Sequence, residues 1–265
     1  MTSRVGRLGI RLATLAVLAF LYVPIGVIAL YAFNESRSQT WPIANFTTDW
    51  FGVAFANSDL HDALFLSIWV GLVATFIALV LGTLAALALH RFRFFGRDAV
   101  SFMFVLPIAL PGIVTGMALS ATINASAVGF SAFTIAVGHA TFCIVVVFNN
   151  VIARLRRTSR SIEEASMDLG ADALQTFRYV TFPMVRTALL AGGLLAFALS
   201  FDEIVVTRFT AGTDSTLPIW IYSQLFRATQ RPIVNVAALI VIVISIVPVY
   251  LAQRLGSDTT GVTSR

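Results

Sequence analysis

The sequence predicts an all-α membrane protein, a polytopic bundle of six transmembrane helices. Composition is the first reason: 58% of the 265 residues are hydrophobic, 12% are charged and the mean hydropathy is +0.87. A soluble domain carries about 25% charged residues, so this chain lacks the polar surface that would keep it dissolved. The second reason is that the apolar residues gather in stretches long enough to cross a hydrocarbon core, which takes about 20 residues. The third is the uneven placement of the arginines between alternate loops.

The first span is expected at 12–33, which holds no charged residue. It is longer than the apolar core of a secretory signal and has no convincing small-residue cleavage site, so it should remain as an uncleaved helix. The second is expected at 63–89. Residues 99–153 again contain no Asp, Glu, Lys or Arg. That is too long for one helix, and its most polar part, 122–131, reads as a turn. The stretch therefore divides into spans at 100–121 and 132–153. A fifth span is placed at 187–209 and a sixth at 232–253. Residues 1–11 and the polar tail 256–265 flank this 12–255 membrane domain, and the tail reads as disordered.

An even number of spans puts both ends on one side. Fourteen of the 18 arginines then fall on that side, including six in the loop 154–186, and four on the other. Arginine-rich short loops stay in the cytoplasm, so the amino terminus, the 154–186 loop and the tail are expected there. The pI of about 10.1 comes from these orienting loops, and no nucleic-acid partner is implied. The single cysteine, Cys143, lies in an apolar run and can form no internal disulfide. His90 and His139 stand alone, without metal-ligand spacing. There is no nucleophile–base set and no phosphate-binding glycine loop, so the chain does not read as an enzyme or as an ATP binder of that kind.

The 154–186 loop has a construction of its own. Ser161 with Glu164 three residues later makes a capping box, starting a helix at Ile162. Gly170 suits the left-handed residue that closes a helix, and Asp172 with Gln175 can cap a second one. Ile162, Ala165, Leu169, Leu174 and Phe177 give the pair apolar contacts, and Pro183 is placed to kink or restart the chain. Glu164-Ala165-Ser166, then Gly170 after three residues, then Val180-Thr181-Phe182-Pro183 after nine more, resembles the EAA loop of bacterial ATP-binding-cassette importer permeases, EAA-x3-G-x9-I-x-L-P. Ser166, Val180 and Phe182 replace residues of similar size or polarity. The resemblance implies a type I importer permease fold and a location in the bacterial inner membrane. It makes Glu163, Glu164, Ala165, Ser166, Asp168, Leu169, Gly170, Ala171 and Pro183 candidates for coupling to a cytoplasmic ATPase. ATP and magnesium would be held by that ATPase dimer, and no cofactor by this chain.

The likeness extends to the second permease subunit of spermidine/putrescine importers. Phe33-Asn34-Glu35-Ser36-Arg37, Trp41, Phe46-Thr47-Thr48 and Trp50 follow that subfamily, as do Leu199-Ser200-Phe201-Asp202-Glu203, Thr216-Leu217-Pro218-Ile219-Trp220-Ile221-Tyr222-Ser223, and Pro232 with Asn235 and Ala238. Ile233 replaces a glutamate, and Gly112 stands where many polyamine permeases have an acidic residue. The implied partners are a second homologous permease, an extracytoplasmic substrate-binding protein and membrane lipid. A permease for ferric iron, thiamine or an organic anion, and an autonomous channel or carrier, are the alternatives.

A carboxylate inside a membrane normally lines a watery route or meets a partner. Asp202 and Glu203, placed in the second half of the fifth span, are therefore candidates for the substrate path, or for an internal pair with Arg208. Trp41 and Trp220 join them because aromatic faces attract ammonium groups. Pro107, Pro111, Gly112 and Gly116 are candidates for gating or close packing, since small residues let helices approach.

Overall fold

The computed structural model describes residues 4–159, 161–227 and 232–244. Among these the chain is helical, with a single antiparallel bridge between Asn34 and Phe46. Four helical stretches are long and apolar enough to cross a membrane: Gly6–Ala32, Ser58–Arg91, Ala132–Arg156 and Ala173–Phe201. The last part of the expected sixth span and the tail 256–265 lie outside the described residues, as do Arg160 and residues 1–3.

The chain forms two compact units. The first holds Met1–His61 and Trp220–Arg265. In it, α1 (Arg4–Ala32) carries three arginines in its first turns and is apolar beyond Arg11, and its most apolar 18 residues are 0% buried within this chain. The polar loop that follows closes on itself. Trp50, in α2 (Asp49–Phe55), donates its indole N–H to the Asn34 carbonyl at 3.0 Å, and the Arg37 guanidinium lies 5.8 Å above the same ring. Pro232–Ile244 is a shorter apolar helix in the position of the sixth span.

The second unit, Asp62–Ile219, holds the core. Most of α3 (Ser58–Arg91), then α4 (Arg97–Ala109), α5 (Gly112–Ser126), α6 (Ala132–Arg156), α7 (Ser161–Asp168), α8 (Ala173–Thr176), α9 (Phe182–Phe201), α10 (Val205–Thr210) and the start of α11 (Leu217–Leu225) belong to it. The central helix is α6. Its Phe142, Cys143, Val147, Phe148, Val151 and Leu155 are buried together with Ala78, Ala86, Val185 and Ala196. Inside a bilayer these side chains exchange lipid for protein rather than water for protein, so close van der Waals packing, not the hydrophobic effect, seats α6 against its neighbours. Cys143 is buried and donates from Sγ to the Ala196 carbonyl at 3.3 Å.

Two expected spans differ from what is observed. The third, expected as one helix over 100–121, is two: α4 ends at Ala109 and α5 starts at Gly112. Pro111 disfavours the helical region for the residue before it, and Leu110 is extended at ψ 141°. The fifth starts earlier and is broken. Its helix begins at Ala173, inside the expected loop, and ends at Phe201, before a non-helical step leads into α10. Pro183 stands in the first turn of α9. A π turn over Phe177–Thr181, in which the Phe182 N–H bonds to the Phe177 carbonyl, carries the chain past the proline. Such a turn relieves the clash between a proline ring and the carbonyl four residues earlier.

Candidate functional site

The loop between α6 and α9 holds two short helices, of which α7 begins at Ser161 itself and not after it as the expected Ser161–Glu164 capping box required. Gly170 sits at φ +91°, the left-handed region that only glycine enters freely. Its N–H bonds to the Met167 carbonyl at 2.9 Å and the Ala171 N–H bonds to Ser166 at 3.2 Å, the paired closure of a Schellman motif. The second helix opens on a complete capping box. Gln175 donates its backbone N–H to Asp172 at 2.8 Å, and the Asp172 N–H reaches the Gln175 side-chain oxygen at 3.0 Å. Ser166 and Thr176 join α7 to α8 through their hydroxyls at 3.2 Å. No atom lies within 4 Å of where a Gly170 Cβ would stand. Gly170→Ala should therefore act through backbone strain alone, costing about 1–2 kcal/mol. Protease cutting of the loop in purified protein should accelerate, while a substitution at exposed Gly52 should leave it unchanged.

The two glutamates of this loop face different ways. Glu163 is buried, whereas Glu164 is exposed. One Glu163 oxygen meets Arg91 Nη2 at 3.0 Å, and the other accepts from Thr181 Oγ1 at 2.5 Å. The same Arg91 nitrogen donates to Thr181 Oγ1 at 3.2 Å. Burial acts to raise the Glu163 carboxyl, but the bonds from Thr181 and Arg91 and the positive charge of Arg91 outweigh it and hold it below the ordinary glutamate value. This triad ties the end of α3, the helix α7 and the π turn before α9 at one point. The outer surface is apolar instead. Leu169 is 89% and Leu174 74% exposed, with Met167 and Ile162 each 48% exposed beside them. Ala165, Asp168 and Glu164 are exposed on this surface too, while Ser166 and Ala171 are half-buried. Soluble surfaces seldom gather large apolar side chains around one loop tip without a partner to cover them.

The second constellation lies at the far end of α9. That helix has 20 residues, about 30 Å at 1.5 Å per residue, the thickness of a hydrocarbon core. Asp202 and Glu203 are thus in the break after the helix, not inside it. Asp202 is exposed and Glu203 half-buried. Glu203 Oε1 accepts the Val206 N–H at 2.9 Å and so caps α10. Neither carboxylate pairs with Arg208 among the described residues.

Glycines seat α10. A Cβ on Gly116 would come within 2.5 Å of the Phe209 ring, and one on Gly112 within 3.6 Å of Val205. Gly138, on α6, faces Val206 and Thr210 in the same way, and Thr134 Oγ1 donates to the Thr210 carbonyl at 2.9 Å. Pro107 lies inside α4 and Pro111 caps α5, so the proline-broken helix and the break after α9 meet through α5 and α10. Trp41 and Trp220 belong to the other unit, the first 75% exposed and the second buried. Arg91, Thr181, Gly138 and His139 were not singled out as functional from the sequence. Arg91 is one of three arginines after the second span, and nothing local distinguishes it from Arg93 or Arg97.

The sequence profile described as "Binding-protein-dependent transport system inner membrane component" matches residues 78–260. Over 248 residues the chain is 36% identical to the putrescine transport system permease protein PotI of Escherichia coli strain K12, covering 89% of this chain and 87% of that one. Over 241 residues it is 33% identical to the spermidine/putrescine transport system permease protein PotC of Haemophilus influenzae, covering 90% and 93%. Its fold is similar to a chain in the crystal structure of a bacterial ABC transporter involved in the import of the acidic polysaccharide alginate, with a TM-score of 0.74 and 18% identity, covering 96% and 98%.

Proposed function

The chain belongs to the family of binding-protein-dependent transport system inner membrane components, and we propose that it forms one half of the route by which an ATP-driven importer brings polyamines into the cell. It is a transport subunit and not an enzyme. The family implies an ATP-hydrolysing partner and a substrate-binding protein. A second permease completes the path, because a single bundle of this size encloses at best half of one. Arginine placement supports cytoplasmic termini and a cytoplasmic α7–α8 loop.

The observation that carries this reading is the placement of two features at opposite ends of α9. At one end is an exposed apolar tip, at the other a helix break bearing two carboxylates. From α8 through the π turn into α9 the helix is continuous. A displacement of the tip by a closing ATPase dimer is therefore carried along a stiff rod toward the break. There α10 rests on the glycine faces of α5 and α6, which let the helices approach closely. Two discrete seatings of α10 would give inward- and outward-facing states, each favoured by a different contact at the cytoplasmic end.

The relatives named for putrescine and spermidine transport support a polycation as cargo. Ammonium groups lose hydration on entering the membrane, and carboxylates at the mouth of the route offset part of that cost. The test is Asp202→Asn in the complex reconstituted with its ATPase and binding protein. Uptake of labelled putrescine should fall about tenfold, the effect of losing roughly 1.4 kcal/mol of charge pairing, with assembly intact. Loss of the complex would make Asp202 structural. Unchanged uptake in Asp202→Asn and Glu203→Gln alike would favour a different small solute, a reading to which Gly112, in place of an acidic residue, lends support.

A further inference from the structure

We propose that His139 is a positioning residue for the path carboxylates, clamping the break between α9 and α10 so that Asp202 and Glu203 are presented to the route. This rests on reading those carboxylates as part of the substrate path. His139 is fully buried in α6 and its two ring nitrogens reach across the break. Nδ1 lies 2.8 Å from Ser200 Oγ in the last turn of α9, and Nε2 lies 2.8 Å from Thr207 Oγ1 in the first turn of α10. Ser200 is 3% and Thr207 0% exposed.

The proton positions follow from the network. Thr207 Oγ1 donates its hydrogen to the Glu203 carbonyl at 2.8 Å, so it accepts from His139 Nε2–H. In the neutral ring Nδ1 then accepts from the Ser200 hydroxyl. A neutral imidazole with one donor and one acceptor edge thus binds the end of one helix and the start of the next, and through Thr207 it fixes the Glu203 backbone. The Phe142 ring packs beside the imidazole, with centroids 5.6 Å apart. A helix that simply stopped would leave backbone groups without partners. Here the Glu203 carboxylate caps the Val206 N–H, the Thr207 hydroxyl caps the Glu203 carbonyl, and His139 holds the arrangement to the core.

No part of the break sequence demands this geometry, since residues 202–204 contain neither glycine nor proline. The clamp supplies what the local sequence lacks. An apolar residue at 139 would fill the space but leave two buried hydroxyls without a ring partner.

The test uses the assembled importer in lipid vesicles, with Asp202→Cys as a reporter and a cationic, membrane-impermeant thiol reagent as the probe. The chain with only its native, buried Cys143 sets the background. Adding His139→Leu should change the modification rate at position 202 by about fivefold or more, the effect of losing one or two buried hydrogen bonds. His139→Gln, which offers an acceptor and a donor at a similar separation, should restore most of the original rate. Thr207→Val keeps the side-chain shape and should shift the rate in the same direction as His139→Leu, which covers the case in which that variant does not assemble. Equal rates in all assembled variants would overturn the proposal. So would a shift in His139→Leu that glutamine does not reverse, because the role would then be packing. If Asp202→Cys is unreactive even with His139 present, the path reading itself fails and takes the positioning role with it.

Discussion

Replacing Leu169 and Leu174 together with aspartate is expected to release the ATP-hydrolysing subunits from the membrane complex while leaving this chain folded and inserted. Both side chains are exposed in the chain by itself, at 89% and 74%, so the substitution removes little intramolecular packing. If the partner covers them, each contributes about 1.5–3 kcal/mol of burial, and an aspartate in the same place adds a desolvation cost. The double change should weaken association by roughly a thousandfold, about 4 kcal/mol. Co-purification of the ATPase with tagged chain measures it directly. Retention of the ATPase at wild-type stoichiometry would place the docking surface elsewhere.

The second large effect is expected at the Arg91–Glu163–Thr181 triad. Removing one partner of a buried pair leaves an uncompensated charge and costs about 3–5 kcal/mol. The Arg91 side chain is 30% exposed, so solvent screening reduces this to about 2 kcal/mol. Glu163→Gln and Arg91→Met should each lower the thermal stability of the purified complex, and the double variant should lose less than the two singles added together. The variants should also hydrolyse ATP with reduced uptake, because α7 is no longer fixed to the ends of α3 and α9. A double variant that loses the full sum would mean that the two residues act independently.

The same carboxylate sets a pH dependence. Glu163 binds its proton less readily in the folded chain than in the unfolded one. Its contribution is therefore complete above the unfolded value of about 4.3, and is lost as pH falls through the lower folded value. Thermal stability of the wild type and Glu163→Gln should differ by a constant amount at neutral pH and converge in acid.

Hydropathy made the four long apolar helices legible, because it follows from composition over windows of about 20 residues. The α7–α8 loop was legible in finer detail. Gly170 and the Asp172–Gln175 box are local devices, and each takes the conformation that its residue types favour. What the sequence concealed depends on contacts between distant residues. The break after Phe201 carries no proline or glycine, and its partners on α6 and α5 are set by tertiary packing. Pro111 did announce the break in the third span, but apolar residues on both sides read as one continuous helix. Pro183 suggested an interruption that the π turn over Phe177–Thr181 absorbs. Glu163 and Glu164 are neighbours in sequence, and only the three-dimensional arrangement assigns one to the interior and the other to the surface.

The most direct measurement is photocrosslinking from position 169 in native membranes, with a benzoyl-phenylalanine in place of Leu169 and identification of the captured protein. Transfer of label to a P-loop ATPase, abolished by Leu174→Asp in the same chain, is the expected result. Labelling confined to lipid, in a chain that still supports uptake, would contradict the assignment of the α7–α8 tip as the point where ATP hydrolysis is coupled to transport.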